Sequence, residues 1–399
     1  MAARRLPFSR FSLWLLFLGC LSLPGAYFYL EQYRQGICLT GLSRDVPWGL
    51  YVAQFTFLVG VAASSVVFTL PAHFHQDQRF ARLLLPAESL AIGAVFSACL
   101  FVFVDLGRPE RLWNILLHPH PGSLIFWDMI ALPGYLVLTS LLFWLRWNRQ
   151  RHGIPPPPRT GGLLTLSIFW AFSIHTLTAF LYAGLPGRDF WFSAILAARF
   201  LASAFCSGPA ILLLLALAGQ RFFRLSPDPQ ALRALLRIIT YTMGLTIFFF
   251  LLACFSVFYG QIPAQTASFA MLASSSSLPA WCLGTALVSF SLLACPAARA
   301  HPVLLPLSLV LVLVSIWLDK GYLFILGGFS RNPFGQAAFY APSLPEACIA
   351  LSIYACGALV VSIGLRLGSA EESGLRPEPG RGAASPGRER KGAAGEKFR

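Results

Sequence analysis

Charged residues are scarce in this chain. Only 12% of its 399 residues are Asp, Glu, Lys or Arg, against roughly 25% in an average soluble domain. A soluble protein of this length needs a charged surface, which so few residues cannot form. The low charge excludes an ordinary cytosolic enzyme, a disordered chain and a nucleic-acid-binding domain. Binding to nucleic acid therefore does not explain the net charge of +14.

Redox and catalytic motifs are also missing. The nine cysteines form no C-x-x-C or C-x-x-C-H motif, so neither a covalent haem c nor an iron–sulfur cluster is expected on this chain. Of seven histidines only His175 falls inside a long apolar segment, which argues against a haem b held by two intramembrane histidines. No P-loop, H-E-x-x-H or G-x-S-x-G motif occurs. The sequence predicts no metal site.

Long apolar segments dominate what is present. Hydrophobic residues make up 56% of the chain, and about 20 consecutive apolar residues allow a helix to cross a bilayer. The segments lack two-residue alternation, which argues against a membrane β-barrel. We predict an all-α, polytopic membrane protein with its transmembrane domain over residues 1–368. The predicted spans are 11–30, 48–72, 85–106, 124–147, 162–184, 190–219, 231–260, 279–300, 302–326 and 346–367.

The basic residues are distributed unevenly between the two sets of loops. With the N-terminus inside, 22 of the 30 Lys and Arg residues fall in inner segments and six in outer loops. The positive-inside rule then predicts that both termini are cytoplasmic. Arg4 and Arg5 also fit a secretory or twin-arginine signal, but no convincing cleavage site follows Leu23, which favours an uncleaved first helix. Residues 369–399 are predicted to be a disordered cytoplasmic tail.

Ionisable residues inside the predicted spans lie mostly toward one side. Such residues are costly in a bilayer and are commonly functional. Glu88 lies at the inner start of the third span, whereas the others lie in the outer half: Asp105, Asp128, His175, Arg199, Asp319, Lys320 and, at a span edge, Glu346. This distribution predicts one polar site near the outer face. Structural pairing, for example of Asp319 with Lys320 or of Asp105 with Arg108, remains the alternative.

Several motifs around these residues are similar to those of a known family. Residues 46–51 read V-P-W-G-L-Y, residues 105–109 read D-L-G-R-P, and Trp127-Asp128 is followed by Tyr135. Later matches are I-H-T at 174–176, R-F-L-A-S-A at 199–204, D-K-G at 319–321, N-P-F-G at 332–335 and S-L-P-E at 343–346. Over about residues 41–365 the chain resembles the NrfD/PsrC family of quinone-interacting membrane subunits. Ten spans resemble its larger branch, which includes membrane subunits of the Dsr and Hmc complexes.

The resemblance implies a fold and a site. Spans two to five and six to nine would form two four-helix bundles, with spans one and ten added. Quinone or quinol (menaquinone or ubiquinone) would bind near the outer face. The quinone-binding and proton-accepting candidates are Asp105, Arg108, Asp128 and His175, and the supporting candidates are Trp127, Tyr135, Arg199, Asp319 and Lys320. Trp127 and Tyr135 fit anchors at the membrane interface more simply, and Arg108 also fits a helix cap.

The resemblance also implies partner subunits, because this chain shows no redox cofactor of its own. They are an exoplasmic, ferredoxin-like iron–sulfur subunit and, in some members, a multihaem cytochrome c and further membrane subunits. The implied location is the cytoplasmic membrane of a bacterium or archaeon. Larger members often carry further acids in the second bundle, where this chain has the neutral Gln261 and Gln336. Proton translocation is therefore not implied.

On the inner side, Glu88 with His73 and His75 is a candidate proton entry. The two histidines lie in a loop with Asp77 and Arg79, and a solvated turn explains them more simply.

Two other functions remain open on the sequence alone. Ten spans with intramembrane charges also fit an ion or small-molecule transporter, for which matched pairs of Gly- or Pro-broken helices are expected. Pro209 and Pro296 lie within predicted spans but form no such matched pair. The chain also fits a purely structural membrane anchor, whose charged residues would not affect turnover.

Overall fold

The structure, a computed structural model, describes residues 10–154, 157–219, 228–332 and 334–372. Arg4 and Arg5, Pro333 of the N-P-F-G motif, and residues 373–399 of the predicted tail lie outside them. The long helices are α1 (Arg10–Gln35), α2 (Leu50–Phe74), α3 (Leu84–Asp105), α4 (Leu124–His152), α5 (Thr160–Ala183), α6 (Leu196–Gly219), α7 (Pro229–Gly260), α8 (Pro263–Ser275), α9 (Leu278–Ala294), α10 (Leu304–Gly328) and α11 (Leu344–Glu372).

The number of long apolar helices agrees with the predicted number of membrane spans. In the described chain nine helices are long and apolar enough to cross a bilayer, and the pair α8–α9, bent by 83°, makes up to ten. The predicted all-α, polytopic fold is thereby confirmed. We call the face with loops 36–49, 106–123, 184–195 and 329–343 the outer face, because the sequence predicts that these loops lie outside.

Local sequence signals set several helix ends. Asp228 caps the start of α7 by accepting a hydrogen bond from the backbone N–H of Gln230 at 3.2 Å. Gly153 ends α4 with a left-handed φ of 65°, a conformation that glycine adopts at low cost. Pro229, Pro263 and Pro279 each stand in the first turn of a helix, where their missing N–H has no helical partner to lose.

One predicted span begins later than expected. The apolar segment predicts a span from residue 190, but α6 begins at Leu196. Trp191 is fully buried, and its indole Nε1 donates a hydrogen bond to the carbonyl of Phe324 at 2.8 Å. Trp191 thus adds to the apolar character of this segment by packing into the protein interior, whereas Phe192 beside it is exposed.

The helices form two four-helix bundles. In the first, α2 packs against α3, α3 against α4, α4 against α5, and α5 against α2. In the second, α6, α7, α9 and α10 close the same kind of ring. Most contacts between the bundles join α2 to α6 and α10, and α5 to α6. This is the arrangement that the motifs implied.

The first and last long helices pack against the outside of the first bundle. α11 contacts α1, α2 and α3, and α1 lies mainly against α11. Small residues allow the close approach: a side chain at Gly25 would clash with Ser352, and one at Gly357 would clash with Ser97. Trp14 on α1 also donates a hydrogen bond to Ser362 on α11 at 3.0 Å.

Close contacts of small residues also join the bundles. A Cβ atom at Gly208 of α6 would overlap the side chain of Ser64 on α2. A Cβ atom at Gly60 of α2 would lie 2.9 Å from the Nζ atom of Lys320 on α10. Gly60 therefore provides the space that the Lys320 side chain occupies between the bundles.

Candidate functional site

An apolar cavity of about 410 Å³ lies in the first bundle near the outer face. Side chains from α2, α3, α4, α5 and the α3–α4 connection enclose it. Its volume lies within the range of roughly 300–1,000 Å³ that is common for small-molecule sites. Phe103 and Ile125 line the cavity and are 38% and 50% exposed on the helix surface. The cavity therefore opens where lipid would surround the protein.

Two predicted carboxylates line this cavity. Asp105 ends α3 and Asp128 lies in the second turn of α4, so both side chains reach the cavity from the outer ends of neighbouring helices. Asp128 is buried and accepts a hydrogen bond from Thr178 of α5 at 3.4 Å. The Oδ1 atom of Asp105 is buried without a hydrogen-bond partner. Such an unsatisfied oxygen costs about 1–3 kcal/mol, which a hydrogen-bonding ligand would offset.

Two aromatic residues complete the polar end of the cavity. Tyr182 lines it and hydrogen-bonds Thr56 of α2 through its hydroxyl group. Trp48 also lines it, and its ring contacts that of Tyr182 edge to face with 5.8 Å between centroids. Tyr182 is not among the residues that the motifs predict for the site. It follows His175 by seven residues, a spacing that places both on one helix face and would have identified it.

His175 lies outside the cavity wall, between the two bundles. Its Nε2 atom is 2.9 Å from the Nζ atom of Lys320 on α10, and its Nδ1 atom is buried without a partner. His175 precedes Thr178 by three residues on the same face of α5. The predicted histidine is therefore connected to Asp128 through this helix face and not by a direct hydrogen bond.

The predicted charges on α6 and α10 form an ion pair across the second bundle. Arg199 of α6 hydrogen-bonds both carboxylate oxygens of Asp319, and both side chains are largely buried. Lys320 lies over the ring of Phe200 with 4.6 Å between Nζ and the ring centroid. Asp319 thus pairs with Arg199, and Lys320 pairs with His175. A π-helical turn over Trp317–Tyr322 presents the two neighbours to different helices.

Three other predicted residues lie away from the cavity. Arg108 is exposed and forms no ion pair with Asp105 in the described chain. Trp127 is 44% exposed and donates a hydrogen bond to the Pro121 carbonyl at 2.8 Å. Tyr135 is fully buried and hydrogen-bonds Ser65 at 2.7 Å, deeper in the first bundle.

The inner candidates are not brought together. Glu88 is buried and forms an ion pair with Arg146 of α4 at 3.2 Å. His73 is instead 3.2 Å from the hydroxyl of Thr165 on α5. His75 is exposed. The sequence places both Glu88 and Arg146 near the inner face but does not predict that they pair.

Metal ligands are not grouped in the part of the chain that the structure describes. No set of three or more His, Cys, Asp or Glu side chains there is arranged to hold a metal ion. The predicted site residues of the outer half supply carboxylates, an imidazole, a phenol hydroxyl and cations. Such groups exchange protons and hydrogen bonds with an organic ligand.

Comparison with known proteins gives consistent matches. The sequence pattern of the polysulphide reductase NrfD family matches residues 39–327. A putative dimethyl sulfoxide reductase membrane subunit of Halobacterium salinarum is 24% identical over 88% of this chain and 90% of its own. The Hdr-like menaquinol oxidoreductase integral membrane subunit of Archaeoglobus fulgidus is 24% identical over 66% of this chain and 65% of its own. A selenate reductase subunit of Mesobacillus selenatarsenatis is 24% identical over 50% of this chain and 54% of its own.

Proposed function

The chain belongs to the polysulphide reductase NrfD family, and on that premise we propose that it is the quinone-reactive membrane subunit of a respiratory electron-transfer complex. One observation carries the proposal: a cavity of about 410 Å³ that opens on the helix surface and contains Asp105 and Asp128. A quinol is an apolar ring with two opposed oxygen atoms. It would enter this cavity from the bilayer and place its hydroxyl groups against the polar end.

The residues at the polar end suit proton transfer. Oxidation of a quinol to a quinone releases two protons and two electrons. Asp128, held by Thr178, is positioned to accept one proton. Asp105 has an unpartnered oxygen that is free to accept the other. Tyr182 and Trp48 would orient the ring between them.

His175 and its neighbours would act behind the cavity. We assign to His175 and Lys320 a positioning role, since their contact holds the α5 face that also carries Thr178 and Tyr182. Arg199 and Asp319 would hold α6 and α10 together. Trp127 and Arg108 would remain at the membrane surface. The pair of Glu88 and Arg146 would fix α3 against α4 at the inner end.

Electrons would pass to or from a partner on the outer face. The relatives are named as subunits of reductases and of a menaquinol oxidoreductase. We propose an exoplasmic, ferredoxin-like iron–sulfur subunit that rests on the outer loops, with a multihaem cytochrome c or further membrane subunits in the same complex. The excess of basic residues on the inner side supports a location in the cytoplasmic membrane with both termini inside.

Substitution of Asp128 tests the proposal. We expect Asp128→Asn to lower quinol-dependent reduction of the partner by about 100- to 10,000-fold, because the amide cannot accept the proton. The measurement is steady-state turnover of the complex isolated with all its subunits. Glu31→Gln, an acid in an exposed pair on α1 and outside the outer loops, is the control and should leave turnover unchanged. Full turnover in both Asp128→Asn and Asp105→Asn would favour a purely structural anchor.

A further inference from the structure

A second cavity, of about 280 Å³, lies in the second bundle near the outer face. It lies between the end of α7 and the start of α9 and is enclosed mainly by apolar side chains. Phe258 lines it and is 55% exposed, so this cavity also reaches the helix surface. Arg199 and Asp319 form part of its wall. A buried ion pair is thus in contact with an apolar space.

The two cavities occupy corresponding places in their bundles. The first lies between the end of α3 and the start of α4, which are the second and third helices of their ring. The second lies between α7 and α9, which have the same positions in theirs. Each is bordered by the segment that joins those helices, through Leu112 and Ile115 in the first and Phe269 and Leu272 in the second. The same architecture therefore forms two lateral cavities.

The chemistry of the second cavity differs from that of the first. Arg199 donates to Asp319 through Nε and Nη2, and its Nη1 atom has no hydrogen-bond partner among the described residues. A guanidinium and a carboxylate together carry no net charge. An anionic phosphate would therefore gain little there, because the attraction of Arg199 is offset by the repulsion of Asp319. A neutral acceptor such as a ketone oxygen would gain a hydrogen bond without this repulsion.

We propose that the second cavity binds a second lipid-soluble molecule of the quinone class, with one carbonyl oxygen accepting a hydrogen bond from Arg199. The ligand class rests on the proposed function. We assign a quinone to the second cavity because its place in the bundle matches that of the first cavity, to which the proposed function assigns a quinone. The molecule enters from the bilayer past Phe258, as the first enters past Phe103 and Ile125. Asp319, the carboxylate in the described wall of this cavity, is held in the ion pair with Arg199, so the site serves binding and not proton transfer.

Photolabelling tests this proposal. The full chain is purified, placed in phosphatidylcholine nanodiscs and illuminated with a photoreactive naphthoquinone, and the labelled peptides are identified by mass spectrometry. We expect two separate adducts, one on α3–α4 peptides and one on α7–α9 peptides. Ala280→Phe fills the second cavity and should reduce the α7–α9 adduct at least tenfold. Leu287→Phe, on the same helix but outside the cavity, is the matched control and should not.

A reciprocal pair of variants covers the first cavity. Met129→Trp should remove only the α3–α4 adduct, whereas Ile130→Trp, one residue further and outside the cavity, should leave both. Leu283→Phe is a second filling variant, and a variant is scored only if it elutes as the wild-type species.

Three results would overturn the proposal. The first is an adduct confined to α3–α4 at saturating probe, and the second is an α7–α9 adduct that Ala280→Phe and Leu283→Phe do not reduce. The third is displacement of the α7–α9 adduct by excess phosphatidylglycerol. If the wild-type protein forms the α7–α9 adduct but no α3–α4 adduct, the result contradicts the proposed function and still supports the second site.

Discussion

Arg199 and Asp319 form a buried ion pair, and the stability of the protein depends on both partners being present together. Removing one partner of such a pair leaves a buried charge, which costs about 3–5 kcal/mol, whereas replacing both by apolar groups costs far less. We expect Arg199→Met to lower the free energy of unfolding by about that amount, and Arg199→Met with Asp319→Leu to lower it less. Denaturant unfolding in detergent micelles measures both.

Arg34→Met is the control for this cycle. Arg34 forms an exposed pair with Glu31, and exposed pairs contribute about 0–1 kcal/mol. Equal losses in the single and double variants of the buried pair would contradict the coupling of Arg199 to Asp319.

The depth of each charged residue followed from the sequence, but its partner did not. Counting from the span ends placed Asp105 and Asp128 near the outer face, and both line one cavity. The neighbours Asp319 and Lys320 were open to pairing with each other, yet each contacts a different helix. Partner choice depends on how each helix is rotated about its axis, and the π-helical turn changes that rotation. A single helix sequence does not contain this information.

At the scale of whole elements, Glu346 at the start of α11 holds two outer loops together. Its carboxylate accepts hydrogen bonds from the backbone of Gly41 and Ser343 at 2.8 Å and from the Tyr340 hydroxyl at 2.9 Å. Tyr340 in turn accepts from the backbone N–H of Leu50 at 2.8 Å, at the start of α2. Burial and the nearby Glu346 raise the pKa of Tyr340, so its hydroxyl remains a donor.

Glu346→Gln should loosen this end of the molecule. Glutamine has one acceptor oxygen where glutamate has two, so at least one hydrogen bond is lost at a cost of about 1–3 kcal/mol. We expect a lower melting temperature and faster proteolysis within loops 36–49 and 329–343. Glu31→Gln, a substitution in an exposed pair, should change neither. Unchanged melting and unchanged proteolysis in Glu346→Gln would show that the loops are held by other contacts.

Helix existence was predictable because the length of an apolar segment decides whether it crosses a bilayer. Two features could not be predicted from the length of apolar segments. The segment before α6 contains Trp191, an apolar residue that packs inside the protein and not in a membrane span. The approach to α9 contains a separate helix, α8, at 83° to it. Hydropathy measures whether a segment avoids water, and it does not distinguish lipid from protein as the apolar neighbour.

At the scale of the whole molecule, the two bundles argue against a transporter. Transporters with inverted repeats place matched broken helices near the midplane in both halves. Here the cavities lie near the outer face and open sideways between helices. The strongly bent helix pair, α8–α9, occurs only in the second half of the described chain. This geometry suits molecules that arrive from the bilayer.

The orientation of the whole molecule can be tested on its native cysteines. Cys38 is exposed in loop 36–49 on the outer face, and Cys295 is exposed at the opposite end of α9. If the positive-inside prediction holds, a membrane-impermeant maleimide added to intact cells labels Cys38 and reaches Cys295 only after permeabilisation. Mass spectrometry of the labelled peptides distinguishes the two sites, with Cys38→Ser and Cys295→Ser confirming each assignment. The opposite order of labelling would show that the molecule has the inverse orientation. Both cavities would then lie in the cytoplasmic leaflet, and the partner subunit would lie inside the cell.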